Sequence, residues 1–171
     1  MDQMRRELLT WKDVDSLIDH LLPQFEGEFE AMMIITRGGI IPGGILAEAM
    51  NITHILTAAV DFPAQAEKAG LYVWPRFIQF PNDEMLRDRR TLVVDDVWGS
   101  GRTITSVKNR VVAAGGYPYT CVLHFNPYRS LFSDAKPNYF AAVTDAYIIY
   151  PWEIDRGVDR VLLESPPKPS S

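Results

Sequence analysis

The order of apolar and polar positions divides the chain into alternating helical and extended segments. Val14, Leu17, Ile18, Leu21 and Leu22 recur at three- and four-residue spacing, which predicts an amphipathic helix with Asp15, Asp19 and His20 on its solvated face. Thr10, with Asp13 three residues on, supplies an N-terminal cap, and Pro23 helps to end the helix. Glu30–Thr36 is apolar from Ala31 through Ile35, the pattern of a strand buried on both faces. Arg37-Gly38-Gly39 follows, then a helix through Met50 with Pro42 near its first turn, where a missing N–H costs little. The next strand lies within Ile52–Val60. Asp61–Gly70 is polar and small, and Leu71–Phe80 returns to strand-like aromatics. Thr91–Val94 has strand character, and Thr103–Ala114 reads as a helix stopped by Gly115-Gly116. Thr120–Phe125 is another buried strand, and Asp145–Glu153 reads as an aromatic edge strand stopped by Pro151. Strands alternating with helices predict an α/β fold, a twisted and mostly parallel sheet flanked by helices on both faces.

Composition narrows the class. The 171 residues, 47% hydrophobic and 23% charged, suffice for one domain with a real core, expected over 1–164. Ser165–Ser171, rich in proline and serine, is expected to be a disordered tail. A net charge of −5 argues against nucleic acid as a partner. Cys121, the only cysteine, lies in the apolar run before Phe125 and reads as core, with no disulfide needed in a reducing compartment. Met1–Leu9 is charged and lacks the apolar core of a signal peptide. No apolar run approaches the ~20 residues needed to span a bilayer. A cytoplasmic protein with no membrane partner is expected. His20 has no partner pattern that would make it a metal ligand.

Two strand–loop–helix units carry the candidate chemistry. In the longer one, Thr91–Thr103, strand residues run into adjacent carboxylates, Asp95 and Asp96, then a turn with Gly99 and Gly101 opens a helix. In an open parallel sheet, ligands sit outside the carboxyl ends of the strands. A helix N-terminus suits a phosphate, glycines let the backbone fold around it, and Ser100 and Thr103 add hydroxyl donors. The carboxylates would repel a phosphate, so they are acceptors for something beside it, and the hydroxyls of a ribose meet that need. Ordinary helix capping after a buried strand would also produce a glycine turn. The string is neither a Walker A loop nor the dinucleotide glycine fingerprint. The second unit, Thr36-Arg37-Gly38-Gly39, could be a plain chain reversal, but Arg37 at a strand's carboxyl end faces the ligand crevice and, with free backbone N–H groups, suits pyrophosphate.

The whole Thr91–Thr103 string closely resembles the phosphoribosyl-pyrophosphate (PRPP) signature of type I phosphoribosyltransferases. Thr-Arg-Gly-Gly-Ile-Ile-Pro-Gly (36–43) is similar to the pyrophosphate loop of the bacterial xanthine-guanine and hypoxanthine branch, in which the Arg-Gly peptide is often cis. Asp-x-aromatic-Ile-x-x-Pro-Trp-acid (145–153) matches a run of the purine-salvage enzymes. The resemblance implies a Mg²⁺-dependent transferase that joins the phosphoribose of PRPP to a nitrogenous base, by preference a purine, and releases pyrophosphate. It implies PRPP contacts from Arg37, Gly38, Asp95, Asp96, Val97, Trp98, Gly99, Ser100, Gly101, Arg102 and Thr103. Asp95, Asp96 and Arg37 would carry the catalysis. Asn126, Tyr147 and Ile148 would meet the base, with Tyr147 stacking on it unless that ring is core packing. Asp95, Asp96 and Glu153 would contact Mg²⁺, mainly through water. Residues 61–80 would form a small hood closing over PRPP, or an ordinary surface hairpin, with Lys68 or Arg76 supplying charge. A homodimer or higher homo-oligomer is usual in the family.

Two positions depart from that pattern. Gly99 stands where 6-oxopurine enzymes usually carry an aspartate near the purine N7, and Asn126 stands where a lysine normally donates to O6. Asn126 can donate a hydrogen bond, and it can also accept one. The alternatives are a transferase for a non-purine base, or a regulatory protein of the same fold that senses PRPP or a nucleotide.

Overall fold

The structure, a computed structural model, describes residues 4–63 and 74–154. In chain order the elements are β1 (Arg6–Leu8), α1 (Trp11–Leu21), β2 (Ala31–Ile35), α2 (Ile40–Met50), β3 (Ile55–Asp61), β4 (Arg76–Gln79), β5 (Arg90–Trp98), α3 (Arg102–Ala113), β6 (Tyr117–Phe125), β7 (Tyr139–Val143), β8 (Tyr147–Ile149) and α4 (Pro151–Ile154). Short 3-10 turns occupy Leu22–Gln24 and Asp83–Met85. The chain divides into two compact units, Leu17–Asp145 and a smaller one combining Met1–Ser16 with Ala146–Ser171.

The larger unit is built on a six-stranded sheet of order β4-β3-β2-β5-β6-β7. Every pairing is parallel except β3 with β4. β2 lies inside the sheet and all its residues are buried, as its unbroken apolar run requires. Successive strand residues point to opposite faces. Met33, Ile35 and Val93 share one hydrophobic cluster with Ile104, Val107 and Val111 of α3. On the other face α2 comes so close that a Cβ on Gly43 would lie 2.8 Å from Ile34 Cγ1. Helices on both faces turn the strand carboxyl ends into an open edge, where the site must lie.

Arg90 anchors the opposite end of β5. Its guanidinium lies 4.9 Å from the Phe29 ring centroid and 4.7 Å from that of Tyr119, and it donates to the carbonyls of Glu28 and Glu26 at 2.9 and 3.0 Å. Planar nitrogen donors and a stackable face make this a task for arginine rather than lysine.

In the smaller unit β1 pairs in parallel with β8, Arg6 opposite Tyr147 and Leu8 opposite Ile149. Tyr150 is buried and stacks on Trp152, centroids 4.5 Å apart and planes 4° from parallel. Thr10 and Asp13 form the expected reciprocal cap: Thr10 N donates to Asp13 Oδ2 at 2.7 Å, and Asp13 N to Thr10 Oγ1 at 3.2 Å. The Thr10 N–H, then the Thr10 hydroxyl, hold the Asp13 carboxyl below its usual range.

Several boundaries differ from the sequence reading. β5 does not stop at Val94 but continues through both aspartates to Trp98, because its ladder with β6 holds as far as Trp98 opposite Phe125. The aromatic run after Asp145 yields only Tyr147–Ile149 as strand before Pro151 opens a short helix. β1 and β7 had no counterpart in the apolar pattern. Of the hood residues, those at 64–73, Lys68 included, lie outside the described residues, as do 155–157 and the tail.

Candidate active site

The acidic pair stands on a strand, not on a flexible loop. Asp95 lies opposite Val122 in the β5–β6 ladder. Asp96 N donates to Asp95 Oδ1 at 2.9 Å, and Val97 N donates to Asp96 Oδ1 at 2.7 Å, so each carboxylate is oriented by the backbone that follows it. Both side chains are half-buried. Burial, and secondarily the neighbouring Asp96 charge, push the Asp95 carboxyl well above the usual carboxylate range.

The second strand–loop–helix unit meets this pair directly. A Cβ on Gly38 would lie 2.5–2.6 Å from the carboxylate atoms of Asp96. Gly39 is equally constrained, since a Cβ there would strike the Val94 carbonyl and come within 2.7 Å of that of Ile35. Backbone close approach therefore requires the glycine at 39, while a side chain at 38 would displace the Asp96 carboxylate. The structure thus brings the Arg37-Gly38 loop against the Asp96 carboxylate near the end of β5. Arg37 is exposed beside them. The cis peptide falls at Thr36–Arg37, one bond before the expected Arg37–Gly38.

After Trp98 the chain turns into α3. Gly101 is its N-cap at φ 81°, and a Cβ there would collide with the Trp98 indole, 2.6 Å from Cε2. Gly99 is different. It lacks a positive φ, and a Cβ on it would meet nothing within 4 Å, so backbone folding does not require a glycine there. Ser100 Oγ accepts from Arg102 N at 3.3 Å, and the Arg102 guanidinium lies 4.2 Å from the Phe62 ring centroid at the end of β3. Thr103 is half-buried in the first turn of α3, and Val97 is half-buried near the end of β5.

Asn126 lies immediately past the end of β6 and is 2% exposed. Its N–H donates to the Trp98 carbonyl at 2.9 Å, and Leu131 N donates to the Ser100 carbonyl at 3.0 Å. Trp98 Nε1 donates to Ser130 Oγ at 3.2 Å, and Ser130 in turn donates to the Phe132 carbonyl. The loop after β6 is thus tied at three points to the loop after β5. Ser130 and Phe62 were not singled out from the sequence. Their partners lie 32 and 40 residues away, and no local pattern reports such contacts.

Arg76 forms an ion pair with Asp61 at 2.7 Å across the antiparallel β3–β4 pair, which occupies it at the neck of the expected hood. In the smaller unit Tyr147 is 44% exposed, while Ile148 is buried. Glu153 Oε2 accepts from Tyr150 N at 2.7 Å, so one of its oxygens caps the short helix α4.

A parallel sheet with an acidic pair at one strand end, a glycine–arginine loop against it and a helix N-terminus behind defines the type I phosphoribosyltransferase fold. No protein-family model matches the chain. Over most of its length it is similar to xanthine-guanine phosphoribosyltransferases: that of Roseobacter denitrificans at 28% identity over 160 residues, covering 90% of this chain and 82% of the relative. That of Gluconobacter oxydans is 28% identical over 149 residues, covering 85% and 83%. Among solved structures, a purine phosphoribosyltransferase from Pyrococcus horikoshii superposes with a TM-score of 0.74 at 26% identity, covering 86% of this chain and 94% of that one. A Neisseria gonorrhoeae protein with bound ppGpp shares the fold, with a TM-score of 0.76 at 22% identity over 96% and 98% of the two chains.

Proposed function

We propose that this chain transfers the phosphoribosyl group of PRPP to a purine, with hypoxanthine, guanine and xanthine as the candidate bases. The observation that carries the proposal is the contact between Gly38 and the Asp96 carboxylate, which sets a pyrophosphate loop beside a ribose-binding acidic pair. A ring nitrogen of the base attacks C1′ as the bond from C1′ to the pyrophosphate oxygen breaks and its electron pair leaves with the pyrophosphate, and the base gives up its proton to water. Arg37 and the N–H groups near Gly38 hold the departing pyrophosphate. Asp95 and Asp96 accept from the ribose hydroxyls, and the turn from Trp98 to Thr103 receives the 5′-phosphate at the start of α3. Charge develops at C1′ between these fixed groups, so placement and electrostatics supply most of the rate. Tyr147 offers an exposed ring suited to stacking on a planar base.

Mg²⁺ fits this donor set as a companion of PRPP. Among the described residues no three His, Cys, Asp or Glu side chains gather to hold a metal alone. Mg²⁺ ordinarily takes one or two carboxylates together with waters and substrate phosphates, and Asp95 and Asp96 can serve as those carboxylates. Bound there, it would neutralise pyrophosphate charge. No helix among the described residues is long and apolar enough to cross a membrane. The reading places the protein in the cytoplasm as a homodimer or higher homo-oligomer.

Gly99 favours a second reading, a sensor of PRPP or nucleotides, because it offers no side chain to exchange a proton with the base. The experiment is pyrophosphate release from PRPP and Mg²⁺ against hypoxanthine, guanine, xanthine, adenine, uracil and orotate, with Asp96→Asn as the control. Turnover on a 6-oxopurine, abolished in the variant, supports the proposal. Turnover on another base alone moves the specificity. Tight PRPP or nucleotide binding without turnover on any base establishes the sensor.

A further inference from the structure

We infer that Ser130 is a positioning residue for the phosphate turn between β5 and α3: acting through the Trp98 indole, it sets the grip on a 5′-phosphate while contributing no ligand group of its own. This rests on the phosphate-site reading above. The indole lies against Gly101, the N-cap of α3, where an added Cβ would strike Nε1 and come 2.6 Å from Cε2. Whatever fixes the ring therefore fixes the spacing of the turn. Phe125 meets the ring edge-on, centroids 5.9 Å apart and planes at 79°. An indole can only donate, and in a residue 3% exposed its Nε1–H needs a protein acceptor, which Ser130 Oγ supplies at 3.2 Å. That hydroxyl is itself held. It donates to the Phe132 carbonyl at 3.1 Å and accepts from Phe132 N at 3.2 Å. A hydroxyl has one proton and two lone pairs, and here all are engaged, so the acceptor cannot turn away from the ring.

The loop that carries Ser130 also orients the peptide groups of the turn. Asn126 N donates to the Trp98 carbonyl at 2.9 Å, and Leu131 N donates to the Ser100 carbonyl at 3.0 Å. Between those ties the loop is stiffened by Asn126 Oδ1, which accepts from Tyr128 N and Arg129 N, both at 3.2 Å. The peptides that follow Trp98 and Ser100 are trans, and in a planar trans peptide the carbonyl and the N–H point in opposite directions. With both carbonyls drawn towards the loop after β6, the Gly99 and Gly101 N–H groups are turned away from it, as donors for an anion at the start of α3. The two carbonyl ties are backbone bonds that a change of side chain leaves in place. The bond from the indole to Ser130 is the one that a single substitution removes.

The test is Ser130→Ala, with Ser130→Thr as the rescue that keeps the hydroxyl and thermal unfolding as the control for folding. Calorimetry in the presence of Mg²⁺ measures binding of ribose 5-phosphate, PRPP and pyrophosphate. Ser130→Ala should weaken ribose 5-phosphate and PRPP by about 5-fold, the effect of one lost hydrogen bond, and leave pyrophosphate, assigned to the Arg37-Gly38 loop, unchanged. Ser130→Thr should bind all three as the wild type does. Trp98→Phe loses the same N–H together with the ring edge against Gly101, so it should weaken the two 5′-phosphate ligands at least as much, and adding Ser130→Ala to it should change nothing further. Should alanine disturb the loop, Ser130→Cys, a weaker acceptor of similar size, takes its place and should show the same selective loss. An unchanged ribose 5-phosphate affinity in a folded Ser130→Ala overturns the inference and leaves the transferase reading standing. A loss shared equally by pyrophosphate, or fully additive in the double variant, overturns it as well. A wild type that binds PRPP but turns over no base, with the selective loss in Ser130→Ala, removes the transferase reading and leaves this one intact. A wild type that binds neither ribose 5-phosphate nor PRPP overturns both.

Discussion

Lowering the pH from 7.5 to 4 tests the strand pair beneath the site through His124. This side chain is 5% exposed on β6, directly opposite Val97 of β5. Burial lowers its pKa from 6.5 to about 4. Between those values the unfolded chain binds a proton that the folded chain refuses, so stability falls as the pH drops through 6.5 and levels off below about 4. At about 1.36 kcal/mol per pH unit, that interval amounts to about 3 kcal/mol, a large part of a typical folding free energy. Urea unfolding of the wild type and His124→Gln should be compared across this range. Carboxylates titrate there in both proteins, so the informative quantity is the difference between the two curves. It should be flat above pH 7 and shift by about 3 kcal/mol in favour of the variant on reaching pH 4. A difference independent of pH would refute the reasoning, since it would mean that His124 accepts its proton as readily folded as unfolded.

Asp95→Asn should raise the melting temperature at neutral pH while weakening PRPP binding. The folded Asp95 carboxyl titrates above its unfolded value, so its ionisation costs stability as pH rises through the folded pKa; the stabilisation should therefore vanish in acid, as calorimetric scans at pH 4 and 8 can show. Gly99→Asp should fold normally, given the open space around that Cα, and should raise kcat on 6-oxopurines by at least about 10-fold if a missing proton acceptor limits the reaction. Gly101→Ala should instead lose about 2 kcal/mol in urea unfolding, from its φ of 81° and the collision with Trp98. Arg90→Lys should cost about 2 kcal/mol by the same measurement, because lysine cannot span both carbonyls and lie flat between Phe29 and Tyr119.

What could be read from the sequence was what depends on short spacing. The cap between Thr10 and Asp13, the buried run of β2, and the glycine–acid strings at both strand ends are local patterns, and each has its expected place in the structure. β1 escaped because Arg6 and Glu7 are charged, Leu8 is exposed, and the three pair only with β8, more than a hundred residues away. β7 escaped for the related reason that none of its residues is fully buried. The extension of β5 through Asp95 and Asp96 ran against the expectation that acids end strands. Its cause is the facing strand β6, which no pattern within 91–98 reports. Gly99 and Gly101 look alike as letters, yet only Gly101 has a positive φ. For Asn126 the sequence left the orientation of the amide open, and the Tyr128 and Arg129 N–H groups hold its Oδ1 towards them.

The ties that hold the site together also divide it into a part that can change and a part that cannot. At the end of β5 single residues serve twice: Asp96 orients its carboxylate on Val97 N and is also the wall against which Gly38 rests, and Trp98 spaces Gly101 while tethering Ser130. A substitution at Asp96 or Trp98 therefore disturbs two contacts at once. A side chain added at Gly99 would meet open space, unlike one at Gly38, Gly39 or Gly101. Variation in chains of this fold can therefore enter at Gly99 one residue at a time, while at Asp96 or Trp98 each step disturbs a second contact.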